Sequence, residues 1–339
     1  MAQRLIEVIV PKGRSHRIPD IMKEHEKLDM WEETLPDDRT NFIILVKAED
    51  VEPILDDLEG QLAWAEGFRV ILLPVEASLP RPKEPEEKKK EEEAEEPEKK
   101  KRVPLRISRE ELYNDITEMT DVNTTFLSLI VISAVVAAIG LYTNNVAVII
   151  GAMVIAPMLG PNVAFSLATT LGDRELAFKS QKANLIGISM AVLFAVIMGL
   201  IFNVDPTTFE IASRTSAGLP DVLLALASGT AGVLSITVGV ATALVGVMVA
   251  VALVPPLVTF GLLLAGGYWD LAAGAGMLFL INLICINLSG VMVFMVKGIT
   301  PRRWWEAEKA KKSARNSMML WTALLLLLII AILFSQGAI

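Results

Sequence analysis

The chain of 339 residues is 53% hydrophobic, holds one cysteine and carries a net charge of -8. The single cysteine, Cys285, excludes an internal disulfide. Residues 1–79 hold 17 acidic and 9 basic side chains, residues 80–102 nine of each and residues 103–339 13 of each, so the acidity belongs to the N-terminal end and argues against nucleic acid as its partner.

The start, MAQRLIEVIVPKGR, does not read as a signal peptide, because its apolar run is short and holds Glu7. Arg4 to Val10 reads as a strand. Pro11 to Arg14 reads as a turn, and Ser15 as the cap of a helix with Ile18, Ile21, Met22 and His25 on one face. Strand patterns follow at Leu28 to Thr34 and Asn41 to Lys47. Asp50 then reads as the cap of a helix with Val51, Ile54, Leu55, Leu58 and Leu62 on one face, with Pro53 in its first turn. Arg69 to Leu73 is the last strand. The order βαββαβ predicts an α+β ferredoxin-like soluble domain over residues 1–79, sensor-like in kind. The turn Lys12, Gly13, Arg14, Ser15 and His16 joins a strand to a helix start, a pattern that suits a small anionic ligand.

Residues 80–103 form a Lys/Glu/Pro run with no apolar face, read as a charged linker. Ser108 and Glu111 have capping-box spacing ahead of an amphipathic helix carrying Leu112, Ile116 and Met119. Apolar segments near ~20 residues then mark a multi-pass α-helical membrane protein. The spans are Phe126 to Tyr142, Asn144 to Leu171, Asn184 to Phe202, Val222 to Ile236, Val240 to Gly266, Leu271 to Val296 and Met318 to Phe334. The second and fifth read as broken, at Pro157 to Pro161 and at Pro255 and Pro256. The membrane domain proper covers residues 104–300, a basic cytoplasmic helix 301–316, and the last span 317–339.

Lysine and arginine set the orientation. Arg174, Lys179 and Lys182 follow the second span; Lys297, Arg302, Arg303, Lys309, Lys311, Lys312 and Arg315 follow the sixth; the opposite loops hold only Arg214. This predicts a protein of the cell membrane with the N-terminal domain in the cytoplasm and the C-terminus outside.

The second span recurs. A shift of 95 residues lays Val146 to Gly172 over Ala241 to Gly267 without a gap, with Gly151 on Gly246, Met153 on Met248, Pro161 on Pro256, Phe165 on Phe260 and Gly172 on Gly267. Three crossings separate the copies, so they point in opposite directions. The expectation is an inverted 3+3 repeat plus one span, a construction of many transporters with the site beside broken helices at the midplane.

The run Gly151 to Pro161 (GAMVIAPMLGP) and the run Val251 to Leu257 (VALVPPL) resemble the hallmark of the domain-of-unknown-function 389 family of bacterial and archaeal membrane proteins. The resemblance covers roughly residues 105 to 300. It implies a shared membrane core and no established activity, so it carries over no functional residues.

No HExxH, Walker A or nucleophile elbow occurs, so the chain is not read as an enzyme. The spans offer amides and hydroxyls instead of acids. The candidate substrate or ion site comprises Pro157, Gly160, Pro161, Asn162, Ser166, Pro255, Pro256, Thr259, Asn282 and Asn287. Such groups, with carbonyls freed by proline, suit a small solute or a sodium ion; no other cofactor is expected. The competing reading is that they hold helices together, which is the one favoured for Asn184 and Thr169. Function follows as a transporter or channel for a small solute or ion with a cytoplasmic regulatory domain. The alternative is a membrane-anchored receptor or scaffold whose acidic domain binds a ligand or partner. Lipid and further copies of the chain complete the expected partners.

Overall fold

The computed structural model describes residues 3–75, 78, 108–239, 242–299 and 304–335, with the side chains of 242–251, 304–311, 331 and 333–335 left out. The charged stretch read as a linker lies outside the described residues. The chain divides into two compact units, Met1–Glu111 and Leu112–Ile339.

In the first unit, β1 (Gln3–Pro11), α1 (Arg17–Ile21), β2 (Asp29–Thr34), β3 (Arg39–Lys47), α2 (Val51–Leu62) and β4 (Arg69–Val75) follow one another. The four strands form one antiparallel sheet in the order β2-β3-β1-β4. Alternation places Ile6, Val8, Val10, Phe42, Ile44 and Val46 on one face, where they share a core with Ile18, Ile21, Met22, Ile54, Leu58 and Leu62. Each fully buried aliphatic side chain contributes about 1.5–3 kcal/mol. Two expected caps are not made. Ser15 donates to the Lys12 carbonyl at 2.9 Å, which closes the short turn, and His16 precedes α1. Asp50 stands at the start of α2 but its side chain caps nothing, because its backbone is already in the helical region.

A helix α3 (Arg109–Glu118) carries the division between the units. Ser108 Oγ accepts the Glu111 amide at 3.2 Å. The return arm of the capping box is absent, because the Glu111 carboxylate takes the Arg4 guanidinium at 3.1 and 3.2 Å instead.

The second unit is helical: α4 (Thr124–Tyr142), α5 (Val146–Ile155), α6 (Leu159–Leu171), α7 (Arg174–Ile201), α8 (Phe209–Ala212), α9 (Leu219–Thr237), α10 (Thr242–Ala265), α11 (Trp269–Val296) and α12 (Trp304–Ser335). Polar residues at the ends start and stop these helices. Asn123 accepts the Phe126 amide at 2.7 Å, and Gly172 ends α6 in the left-handed region. Asp173 caps α7 through one oxygen and takes the Tyr113 hydroxyl at 2.7 Å through the other. Burial and that carboxylate push the Tyr113 phenol up to about 12, so it stays a donor at any physiological pH.

Among the described residues five helices are long and apolar enough to cross a membrane: α4, α7, α9, α11 and the stretch Lys312–Ile330 of α12. The pair α5 and α6, bent by 51°, makes a sixth if it is one span. Seven spans were expected. In the fifth expected span, only Ala252–Ala265 is described to its side chains, and that piece alone is too short. The basic segment and the last span form one helix rather than two elements.

The expected break at Pro255 and Pro256 is corrected. The helix α10 runs on through both prolines. Pro256 has no N–H for the carbonyl four residues back, that of Ala252. Asn282 Nδ2 supplies the missing donor, at 2.6 Å from the Ala252 oxygen. Replacing Asn282 by Leu leaves that carbonyl bare, at a cost of about 1–3 kcal/mol. In a Pro256→Ala background the backbone amide returns, so the same replacement is expected to cost less than half as much. Thermal unfolding of the four variants in detergent measures the difference.

Candidate functional site

The site begins at the bend between α5 and α6. Pro157 cannot bond the Met153 carbonyl and disfavours helical geometry at Ala156, which is extended at φ -72°, ψ 120°. The last turn of α5 is left with bare carbonyls, and Ser133 of α4 donates to the Ala152 oxygen at 2.7 Å. Three residues on, the chain turns back into α6. Pro161 falls in the first turn of α6, where a missing amide costs nothing. The break therefore lies at Ala156 to Met158, and Gly160 and Pro161 belong to the helix after it.

Asn162 is fully buried one turn into α6. Its Nδ2 donates to the Met158 carbonyl at 2.8 Å. Its Oδ1 accepts two amides, from Asn184 of α7 and Asn287 of α11, each at 3.2 Å. Asn287 also donates to the Leu283 carbonyl at 2.8 Å. Ser166 lies between Asn162 and Asn287, with the carbonyls of both at 3.1 and 3.2 Å from its Oγ. Three carboxamides and a hydroxyl thus join three helices that enter from different parts of the sequence. Packing permits this approach because Gly290 has no side chain; a Cβ there would stand 2.7 Å from the Ser166 Cβ. Gly160 likewise accommodates Met119, whose Cβ would be 2.5 Å from an added one.

One polar atom in this cluster is left over. The Asn184 side-chain oxygen is buried and has no hydrogen-bond partner among the described residues. Sequence reasoning assigned Asn184 to helix packing alone and left it out of the site; only the fold brings it to Asn162. The other expected residues form a second locus. Pro255, Pro256 and Asn282 meet where Asn282 caps Ala252, and Thr259 lies buried on α10 with a hydroxyl that has no partner among the described residues. The ten residues are therefore two groups, one around Asn162 and one along α10.

The expected anion site in the first unit does not gather. Lys12 Nζ lies 3.8 Å from Asp38, Arg14 stacks over the Trp64 ring at 4.5 Å, and Ser15 is spent on the Lys12 carbonyl. Gly13 lies in the short turn and His16 caps nothing with its side chain, ahead of a helix of only five residues. The cations are drawn to separate partners, so nothing is focused on one point.

Chemically, the cluster around Asn162 offers neutral donors and acceptors. Among the described residues no three His, Cys, Asp or Glu side chains are grouped to hold a metal. The arrangement suits hydrogen bonding to an uncharged or singly charged guest, not proton relay through carboxylates.

Residues 153–288 match the family described as Domain of unknown function (DUF389). All four members of the cluster fall in that stretch. An uncharacterized protein of Methanocaldococcus jannaschii is 35% identical over 313 residues, which is 92% of this chain and 93% of that one. No solved structure matches the chain.

The unequal bonding separates two substitutions. Asn287→Leu removes the bonds to Asn162, to the Leu283 carbonyl and, at 3.4 Å, to the Ser166 hydroxyl, and is expected to cost about 1–2 kcal/mol of stability. Asn184→Leu removes one bond and one unpartnered oxygen, and Asn162 keeps its other donor, so its cost is expected below about 0.5 kcal/mol. Detergent unfolding midpoints of the two variants test the order.

Proposed function

The chain belongs to the DUF389 family, and on that premise we propose that it is a membrane transporter or channel for a small solute or ion, with the N-terminal unit as its regulatory domain. The observation that carries the reading is the buried polar junction at a helix bend, Asn162 with Asn184 and Asn287, holding an acceptor that no group among the described residues uses. Polar groups in a bilayer interior are costly, and their commonest use beyond packing is a guest's path.

The membrane unit is read as an inverted 3+3 repeat plus one span. A pair of contacts supports this. Ser166 of α6 meets Gly290 of α11, and the 95-residue shift turns that pair into Gly261 of α10 and Ala195 of α7. A Cβ on Gly261 would stand 2.5 Å from the Ala195 Cβ, so the image pair is also a close approach. Both seams run parallel: Gly261 abuts Ala195 and Val192 while Gly199 abuts Leu262 and Ala265, and residues 162 and 166 meet 287 and 290. An inverted repeat makes the second and sixth spans parallel, and the third and fifth likewise. For the first unit, the strand order β2-β3-β1-β4 with two helices on one face supports the ferredoxin-like reading. Orientation rests on the lysines and arginines, which favour a cytoplasmic N-terminus, an outside C-terminus and the cell membrane.

One observation favours the receptor or scaffold reading. Apart from the Asn184 oxygen, the cluster's bonds close on one another, as helix-joining groups do. Flux separates the two. Vesicles carrying the purified chain are expected to pass sodium ions or to swell in glycerol, urea or formate faster than protein-free vesicles. Asn184→Leu and Asn162→Leu are expected to lose at least about 90% of that rate, with helical content and elution volume unchanged for Asn184→Leu. Vesicles no leakier than controls to every probe would leave the scaffold reading standing. Labelling of a cysteine placed at Ser313 from outside intact cells would overturn the orientation.

A further inference from the structure

The second face of the N-terminal sheet is apolar where water is expected. Antiparallel sheets with one wet face alternate apolar and polar residues, and strands buried on both faces read as continuous apolar runs. Here β3 runs Phe42-Ile43-Ile44-Leu45-Val46 and β4 runs Val70-Ile71-Leu72-Leu73. The pairing register lays the face opposite the helices out in three rows: Asp29, Leu45, Leu5, Leu73; then Trp31, Ile43, Glu7, Ile71; then Glu33, Asn41, Ile9, Arg69. Trp31 and Leu73 are 45% and 40% exposed. Residues 80–102 cannot cover such a face, because they hold eighteen charges and little else. An anionic lipid surface is disfavoured by the domain's own -8 and by the acids of β2.

We propose that this face binds the same face of a second copy, the two sheets stacked about a two-fold axis parallel to the strands. Charge selects that axis. A rotation about the strand direction keeps the rows and exchanges the edges, so Glu33 of each copy lies over Arg69 of the other and Trp31 over Ile71. A rotation about an axis across the strands exchanges the rows instead and puts Asp29 over Glu33 twice, acid on acid. Aligned stacking of this kind is a standard sheet packing, at ~10 Å separation. Four strands ~4.8 Å apart and three rows deep cover on the order of 400 Å² per copy, which is below the usual size of a stable interface on its own. Glu7, set over Ile43 of the other copy, weakens it further. The contact is therefore one that forms between chains already concentrated in one membrane.

The test uses the full chain in vesicles, in a Cys285→Ala background. Trp31→Cys and Ile71→Cys lie on strands at opposite edges of the sheet, ~14 Å apart within a copy, too far for an internal disulfide. Together they are expected to give a covalent dimer with a short bis-maleimide that spans the ~10 Å between facing sheets but not the ~14 Å within one, while neither cysteine alone does. Glu33→Arg or Arg69→Glu is expected to lower the dimer yield at least about fivefold, and the two reversals combined to restore it. The proposal is overturned by any of three results: no dimer from the cysteine pair, a single cysteine that crosslinks as well as the pair, or a double reversal as poor as either single one. None of these bears on flux, so the proposed transport reading stands or fails separately.

Discussion

Hydrocarbon offers no hydrogen bonds, so each backbone carbonyl freed by a proline has to find a donor inside the protein. The membrane unit is built around how that demand is met. Where Pro157 stops a helix, the exposed end of α5 is met by the Ser133 hydroxyl on the neighbouring helix. Where Pro256 interrupts the ladder of α10, the Asn282 amide reaches over from α11. In both cases a side chain from another helix completes a backbone ladder, so local geometry and helix packing are fixed by the same contact. Ser289 does similar work, donating to the Leu226 carbonyl of α9 at 3.1 Å.

These contacts require close approach, and glycine provides it. The added atom of an alanine at Gly290, Gly261, Gly199 or Gly160 would stand within 2.7 Å of a neighbouring helix or loop. Short distance strengthens dispersion and brings weak polar side chains within reach of carbonyls, which is how membrane helices associate without a hydrophobic driving force. The polar cluster at Asn162 exists because α6 and α11 touch at Gly290.

Much of this was legible in the chain, and the failures have one physical cause. Strand order, helix faces and most span limits follow from periodicity, which is a local property. The bend at Pro157 was legible because proline acts on its own turn. The break expected at Pro255 and Pro256 was not there, and the 95-residue shift shows why. Pro157, which makes the bend between α5 and α6, falls on Ala252 under that shift, and of the two prolines only Pro161 falls on another proline, Pro256. Pro161 sits harmlessly in the first turn of α6, whereas Pro256 is mid-helix in α10 and rescued by Asn282. The rescue depends on a residue thirty positions away, which no local pattern reveals. The same holds for Asn184, whose spacing within its own helix says nothing of Asn162, and for Lys12 and Arg14, whose partners Asp38 and Trp64 come from other elements.

The two seams that the 95-residue shift relates are not chemically alike. Under the shift, Asn162, Ser166 and Asn287 correspond to Leu257, Gly261 and Val192. One seam therefore carries amides and a hydroxyl, and its image carries methyls and a bare backbone. If the polar groups served only to join helices, a seam without them would be expected to need a substitute, and among the described residues the second seam shows close glycine packing instead. Packing is thus sufficient for adhesion in this fold. The amides on the first seam, with one oxygen at Asn184 left without a partner among the described residues, are an expense that adhesion does not explain, and the guest proposed above would use that oxygen.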